Sequence, residues 1–356
     1  MNNIILPPKN HNVYRYDIYD DTLVIYRPFN NVVDIYKIEN NKWIKKNEFI
    51  TNDSKTDDNS YYSITLNYKY IYISFINFIQ VYELINNEYI NIKKIDKINI
   101  NVINEEVFNT DLIYSNIRIS NDYYYINNNN IVIYGNYDYY LTILPDYTTI
   151  FTTNQSSNGH MEKAIGIDNN NLLYTVDTYH LIKIRKLNNE NNMWITYKEI
   201  DYSIFNPSRY YIRVFNHYSV SKDGKYIAIL YQTRIKNEET TDYDDFYYYT
   251  NILVYEKYNL EEYKVVFNYQ IEGELEEYDG ITINNNILTF YDFRSRKINF
   301  FMKINNKWSL TNQEDNYRIY ISDFHSIKSN NKSINLMTVY VKEDLTIDYR
   351  LIYTII

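Results

Sequence analysis

The sequence contains no cysteine and has little glycine, proline or alanine: its 356 residues include six glycines, five prolines and two alanines. Without cysteine the chain forms no disulfide, no thiolate nucleophile and no cysteine-ligated zinc or iron–sulfur site. Six scattered glycines also argue against a glycine-rich phosphate loop. No apolar run approaches the roughly 20 residues of a membrane-spanning helix, and the start of the chain lacks the basic and apolar regions of a secretion signal. We therefore expect no membrane insertion, no Sec-type secretion and a cytoplasmic location.

Three residue types dominate what is present: 45 tyrosines, 53 asparagines and 54 isoleucines. Their codons are A/T-rich, which indicates an A/T-rich genome, and a large DNA virus is the source that we favour over a protist or fungus. The chain is 45% hydrophobic and 23% charged, which is a globular composition. Its net charge of -9 argues against a general nucleic-acid binder.

One phrase recurs along the chain: a β-branched and aromatic strand, a polar turn rich in asparagine, then an aromatic residue that opens a second strand. The five copies are Val32–Ile50, Phe78–Ile95, His180–Ile200, Asn251–Ile271 and Lys297–Gln313. All three tryptophans (Trp43, Trp194 and Trp308) take the aromatic position, and Tyr89 and Tyr263 take it in the other two copies. We call these five residues the marker aromatics and expect them to be structural. Trp43 and Tyr89 are 46 residues apart, and Tyr263 and Trp308 are 45 apart, so the repeat period is that of a four-stranded unit.

Asparagine is the expected turn residue of these hairpins. Tight hairpin turns need positive φ, which asparagine tolerates best after glycine. Asparagine pairs and triplets stand between the predicted strands at Asn40–Asn41, Asn86–Asn87, Asn169–Asn171, Asn284–Asn286 and Asn305–Asn306. The segment Lys222–Lys225 carries the commoner Asp-Gly turn instead.

Seven copies of a four-stranded unit predict an all-β chain that is one seven-bladed β-propeller over residues 1–356, its ring closed by an N-terminal strand. The predicted blades are 11–50, 60–98, 112–150, 162–200, 217–272, 278–314, and 323–356 completed by 2–8. The third and seventh copies lack the marker aromatic. A pair of β-sandwiches is the alternative, but it would not require one phrase at one period.

The segment Ser221–Ile229, followed by Asn251–Glu256 and a later aromatic residue, resembles the FG-GAP propeller repeat of integrin-type proteins. The same segments also resemble the repeats of WD-repeat propellers. The chain has no Trp-Asp dipeptide, no Phe-Gly dipeptide and no Asp-rich calcium loop, so neither resemblance implies a metal or any site residue.

Connections on one side of the predicted blades are long and irregular, and function usually lies on such loops. They are Thr51–Tyr61, Asn99–Leu112, Pro145–Met161, Asp201–Asn216, Gln232–Thr250 and Gln313–Asp323. Within them, acidic and aromatic residues form the candidate partner-binding set: Asp242, Tyr243, Asp244, Asp245, Phe246, Tyr247, Tyr248, Tyr249, Glu274, Glu276 and Glu277. Tyrosine-rich surfaces are typical of protein interfaces. Solvated acids and merely frequent tyrosines are the alternative interpretation.

Other chemistry has weaker support. The basic groups Lys93, Lys94, Lys97, Arg294, Arg296 and Lys297 form clusters too short to indicate nucleic-acid binding. The five histidines have no metal-ligand spacing, although His217 and His325 each precede an innermost strand. We therefore expect no catalytic residue, no metal and no cofactor.

The sequence thus predicts a non-catalytic protein-interaction scaffold in a larger assembly such as a virion. A carbohydrate-binding or glycoside-cleaving propeller is the alternative, in which exposed tryptophans would stack on sugars.

Overall fold

The computed structural model describes residues 2–6, 14–27, 30–51, 63–75, 78–96, 123–135, 139–153, 162–177, 181–188, 190–202, 217–236, 246–259, 262–273, 280–284, 286–292, 294–295, 297–315, 326–329, 332–341 and 347–355. Their regular structure is β-strand, numbered β1 to β28 in chain order. Among these residues no helix is long and apolar enough to cross a membrane.

Six four-stranded sheets are each built from consecutive antiparallel strands, and we call each of them a blade. Blade 1 is β2 (Arg15–Tyr19), β3 (Thr22–Arg27), β4 (Val32–Glu39) and β5 (Lys42–Ile50). Blade 2 is β6 (Ser63–Leu66), β7 (Tyr70–Ser74), β8 (Phe78–Ile85) and β9 (Glu88–Asp96). Blade 3 is β10 (Tyr123–Ile126), β11 (Val132–Gly135), β12 (Tyr139–Ile143) and β13 (Thr149–Thr153).

The second half of the chain repeats this arrangement. Blade 4 is β14 (Glu162–Ile167), β15 (Leu172–Asp177), β16 (Leu181–Asn188) and β17 (Met193–Asp201). Blade 5 is β18 (His217–Val220), β19 (Tyr226–Lys236), β20 (Phe246–Lys257) and β21 (Tyr263–Glu272). Blade 6 is β22 (Gly280–Asn284), β23 (Ile287–Asp292), β24 (Lys297–Ile304) and β25 (Lys307–Asp315).

One further four-stranded sheet joins the two ends of the chain. It consists of β26 (Ser326–Ser329), β27 (Ser333–Val341), β28 (Ile347–Ile355) and β1 (Asn2–Leu6). Strand β1 pairs antiparallel with β28, from Asn2 opposite Tyr353 to Leu6 opposite Tyr349. The sequence predicted seven blades as copies of one repeat. That number is corrected to six blades of consecutive strands, because the remaining sheet is shared between the chain termini.

Blade 3 ends later than the sequence predicted. The segment Pro145–Met161 was expected to be a long connection, but β13 occupies Thr149–Thr153 and pairs with β12 along its whole length. A short turn joins the two strands, with the backbone N–H of Tyr147 donating to the carbonyl of Leu144. Tyr147 has a positive φ of 67° there, a conformation that the sequence did not signal at a tyrosine.

The chain divides into two compact units: residues 9–164 contain blades 1 to 3, and residues 1–8 with 165–354 contain most of blades 4 to 6 and the shared sheet. In each unit, neighbouring blades pack face to face through buried isoleucine, valine, leucine and tyrosine. Blades 1 and 2 share one such core, blades 2 and 3 a second, blades 4 and 5 a third, and blades 5 and 6 a fourth.

Asparagine supplies most of the strained turn positions, as the sequence predicted. Asn40, Asn41, Asn86, Asn87, Asn171, Asn305 and Asn306 all have positive φ. Positive φ costs a residue with a β-carbon about 1 kcal/mol, and asparagine reduces this cost by local hydrogen bonding. Asparagine therefore takes the role that glycine has in most hairpins.

A one-residue β-bulge recurs in the fourth strand of five blades, three residues after each marker aromatic. The bulged residues are Lys46, Ile92, Tyr197, Val266 and Thr311. A bulge reverses which face the following side chains occupy. In blade 5, Tyr263 therefore packs toward blade 4, while Tyr269, six residues later, packs on Phe301 of blade 6. The bulge lets one outer strand contact the blades on both sides.

Candidate functional site

Blade 5 differs from the other blades in its second and third strands. Strand β19 has 11 residues and β20 has 12, and they pair continuously from Tyr226 opposite Glu256 to Lys236 opposite Phe246. The corresponding second strands of blades 1, 2, 3, 4 and 6 have four to six residues. Strand β18 pairs only with residues 227–230 of β19. The predicted loop Gln232–Thr250 is therefore corrected: residues 232–236 and 246–250 are strand, and we call them with their connection the blade-5 hairpin.

The predicted partner-binding residues fall into two groups. Tyr247, Tyr248 and Tyr249 lie in β20, opposite Ile235, Arg234 and Thr233. Tyr247 is 45% exposed, and the other two tyrosines are half-buried. Phe246 is the first residue of β20. The remaining members of the set lie outside the described residues: Asp242, Tyr243, Asp244, Asp245, Glu274, Glu276 and Glu277.

The base of the blade-5 hairpin is fixed by side-chain hydrogen bonds that the sequence did not signal. The Asn251 amide donates to the Thr233 hydroxyl at 2.9 Å, and the Gln270 amide donates to the Asn251 carbonyl oxygen at 3.0 Å. The Thr250 hydroxyl donates to the carbonyl of Gly273, whose own N–H donates to the carbonyl of Tyr248. Three strands are thereby tied where the hairpin leaves the blade, which positions Tyr247 on a rigid support.

The marker aromatics lie at the start of the fourth strands and face into the packed interior. Trp43, Trp194 and Trp308 are buried, and Tyr89 and Tyr263 are mostly buried. Tyr89, Tyr263 and Trp308 each pack against the preceding blade of the same unit. A sugar-stacking site needs exposed aromatic rings, so the burial of all three tryptophans removes the main support for the carbohydrate alternative.

A buried polar network joins blades 4 and 5 next to the β14–β15 and β18–β19 turns. One carboxylate oxygen of Asp168 accepts hydrogen bonds from the backbone N–H groups of Asn170 and Leu172. Its second oxygen accepts a hydrogen bond from the Tyr174 hydroxyl at 3.1 Å. The Tyr174 and Tyr263 hydroxyls are 3.1 Å apart, and the Tyr263 hydroxyl donates to the carbonyl of Gly224 at 2.8 Å. Burial raises the pKa of Asp168 and raises that of Tyr263 to about 12. Because every oxygen of this network has a partner inside the protein, we assign it a structural role.

The other chemical candidates do not form a site. Among the described residues, no group of three or more histidine, aspartate or glutamate side chains could hold a metal. Lys93 and Lys94 lie on β9, where their ammonium groups are 5.9 Å and 4.1 Å from the ring centroids of Tyr147 and Phe78. His217 is half-buried on β18, and its counterpart His325 lies outside the described residues, as do Lys97 and Arg296.

No protein-family model matches the sequence, and no curated protein matches it either. Solved structures do match. The β-propeller domain of Cps50 (Swd1) from Myceliophthora thermophila superposes with a TM-score of 0.56 at 10% identity, covering 98% of this chain and 99% of that one. The chain is a β-propeller of four-stranded blades. The match shows the β-propeller fold that both resemblances imply.

Two further solved structures cover most of the chain. Hsv2 of Kluyveromyces marxianus has a TM-score of 0.45 at 12% identity over 84% of each chain. Sqt1 of Saccharomyces cerevisiae has a TM-score of 0.45 at 10% identity, over 93% of this chain and 80% of that one.

Proposed function

We propose that this propeller is a non-catalytic scaffold that binds a protein partner through the blade-5 hairpin. The observation that carries the proposal is the continuous pairing of β19 and β20 beyond the reach of β18, which holds the half-exposed Tyr247 away from the blade core. Strands of this length are not needed to build a blade, since the other five blades do without them. Tyrosine on a rigid support provides a large contact area at low entropic cost.

The connection of the hairpin, residues 237–245, adds five carboxylates in the sequence and no basic residue. A partner with a basic surface complements that charge, and charge complementarity raises the rate and specificity of association. As part of the same proposal, the scaffold acts in the cytoplasm as a component of a larger assembly. A virus with an A/T-rich genome is the source that the composition favours.

Shortening the hairpin tests the proposal. Arg234 lies opposite Tyr248, so an Asn-Gly turn that joins these two residues removes Tyr247 and the connection while it keeps the register of the blade and the hydrogen bonds at the base of the hairpin. We expect the shortened protein to keep its thermal stability and to lose its main partner in affinity capture from the cells that make it, followed by mass spectrometry. The same partners at the same yield would overturn the proposal.

A pair of tyrosine variants provides the matched control. Tyr247→Ala removes a 45% exposed ring on the hairpin, whereas Tyr258→Ala removes a 70% exposed ring from the β20–β21 turn at the other end of β20. We expect Tyr247→Ala to weaken partner capture about tenfold or more, as at an interface hot spot. Tyr258→Ala is expected to leave capture unchanged.

A further inference from the structure

Outer strands of neighbouring blades form equivalent grooves, and the groove between blades 5 and 6 has a different chemistry. Two residues border each groove. One lies on the outer strand of the first blade, four positions after its marker aromatic. The other lies on the outer strand of the following blade, two positions after its marker aromatic. Between blades 1 and 2 these residues are Asn47 and Asn91, and between blades 4 and 5 they are Lys198 and Val265. Between blades 5 and 6 they are Phe267 and Leu310, so that groove alone among these three is apolar on both sides.

The groove between β21 and β25 is lined by aromatic rings at contact distance. Phe267 lies 5.3 Å from Phe301 and 6.2 Å from Trp308, and Tyr269 lies 5.1 Å from Phe301, measured between ring centroids. Phe301 forms the buried floor, while Tyr269 is 37% exposed and Leu310 is 45% exposed. Exposed apolar side chains that are contiguous on a surface mark binding sites more often than single ones do.

Positive charge lies at the end of this groove that is next to the β20–β21 and β24–β25 turns. Lys303 binds Glu256 at 2.6 Å, Lys225 lies 3.4 Å from the same carboxylate, and Lys264 lies 3.5 Å from Glu262. Three lysines thus face two glutamates. Lys264 is 51% exposed and Lys225 is 48% exposed, so both can contact a further anion.

One polar group in the groove is unsatisfied. The indole Nε1 of Trp308 is buried, and it has no hydrogen-bond acceptor among the described residues. A buried donor without an acceptor costs about 1–3 kcal/mol.

We propose that the groove between β21 and β25 binds an extended segment of a partner protein, in which an apolar side chain contacts Phe267, Tyr269 and Leu310 and an adjacent acidic residue contacts Lys264 or Lys225. The apolar lining and the lysines carry this assignment, and it is independent of the blade-5 hairpin. The segment would be short, because one groove accommodates only a few residues of an extended chain.

The test starts from a display library of short linear peptides selected on the full-length protein. We expect the enriched peptides to carry an apolar residue close to aspartate or glutamate, to change the tryptophan fluorescence, and to bind more weakly at high salt. Leu310→Lys places a charge in the groove at an exposed position, so the fold should be kept, as a thermal melting curve would verify. This variant should bind synthetic versions of these peptides with an affinity about tenfold lower or more.

Asn91→Lys, at the equivalent position of the groove between blades 1 and 2, should change the same affinities by less than about twofold. Enriched peptides that bind Leu310→Lys as tightly as the unchanged protein, or that lack acidic residues, would overturn the proposal. So would a dimer of the protein alone that dissociates on Leu310→Lys in sedimentation experiments, because the occupant would then be a second copy of this chain.

Discussion

Gly224→Ala is expected to lower the free energy of unfolding by about 3 kcal/mol, measured by urea denaturation. Gly224 has a φ of 68°, and a β-carbon there would lie 2.1 Å from an Asp168 carboxylate oxygen and 2.8 Å from the Tyr174 hydroxyl. The positive φ accounts for about 1 kcal/mol. The remaining loss of stability arises because Asp168 must move away from the buried N–H and hydroxyl groups that donate hydrogen bonds to it. Buried groups left without a hydrogen bond cost about 1–3 kcal/mol.

Asn306→Ala is the control for the backbone contribution. Asn306 has a φ of 63° and lies exposed in the β24–β25 turn. Its replacement should cost about 1 kcal/mol or less, since only the conformational strain changes. If both variants lost the same stability, the contact between Gly224 and Asp168 would contribute nothing.

Glu256→Ala is expected to destabilise the protein by about 3 kcal/mol, because it leaves the Lys303 ammonium group with no carboxylate. Lys303 is 7% exposed in its side chain and Glu256 is 19% exposed, and the pair links blade 5 to blade 6. The Tyr226 hydroxyl donates to the same carboxylate at 3.1 Å. Glu262→Ala, at the solvent-exposed pair with Lys264, should cost less than about 0.5 kcal/mol.

The stabilisation by Glu256 should depend on pH. Burial alone would raise the pKa of its carboxyl group, but the hydrogen bond and charge of Lys303 outweigh this effect and hold the pKa below the ordinary value of 4.5. Because the folded pKa is the lower one, the contribution is present above pH 4.5 and is lost as the pH falls through the folded value. The stability difference between the unchanged protein and Glu256→Gln should therefore be constant from neutral pH down to about 5 and shrink on further acidification. A difference that grew in acid would contradict the assignment.

Local features of the fold could be predicted from the sequence because they depend on neighbouring residues. Hairpin turns need positive φ at particular positions, and the chain places asparagine there, as at Asn40–Asn41 and Asn305–Asn306. The repeated phrase indicated four-stranded units because alternating strands and turns of fixed length lie next to each other in the chain. The same argument predicted a long segment in blade 5 at Gln232–Thr250, although it assigned all of this segment to a loop.

Contacts between blades could not be predicted from the sequence in the same way. Asp168 and Gly224 are 56 positions apart, and nothing around either residue indicates that a β-carbon at one would meet the carboxylate of the other. The aromatic groove between β21 and β25 likewise depends on residues from two blades. Its members look like ordinary strand residues until the sheets are packed together.

The sequence by itself determined the β-strand repeat, the asparagine turns and the location of the long Gln232–Thr250 segment in blade 5, because propensity and turn chemistry act between residues a few positions apart. Only the tertiary structure decided the number of blades that are built from consecutive strands, which is six. It also decided that a bulge after each marker turns the outer strand, so that Tyr263 and Tyr269 contact different blades. A regular strand would place those two rings on one face. The effect of the bulge depends on the packing of both neighbouring blades against the outer strand, which the residues around the marker do not reveal.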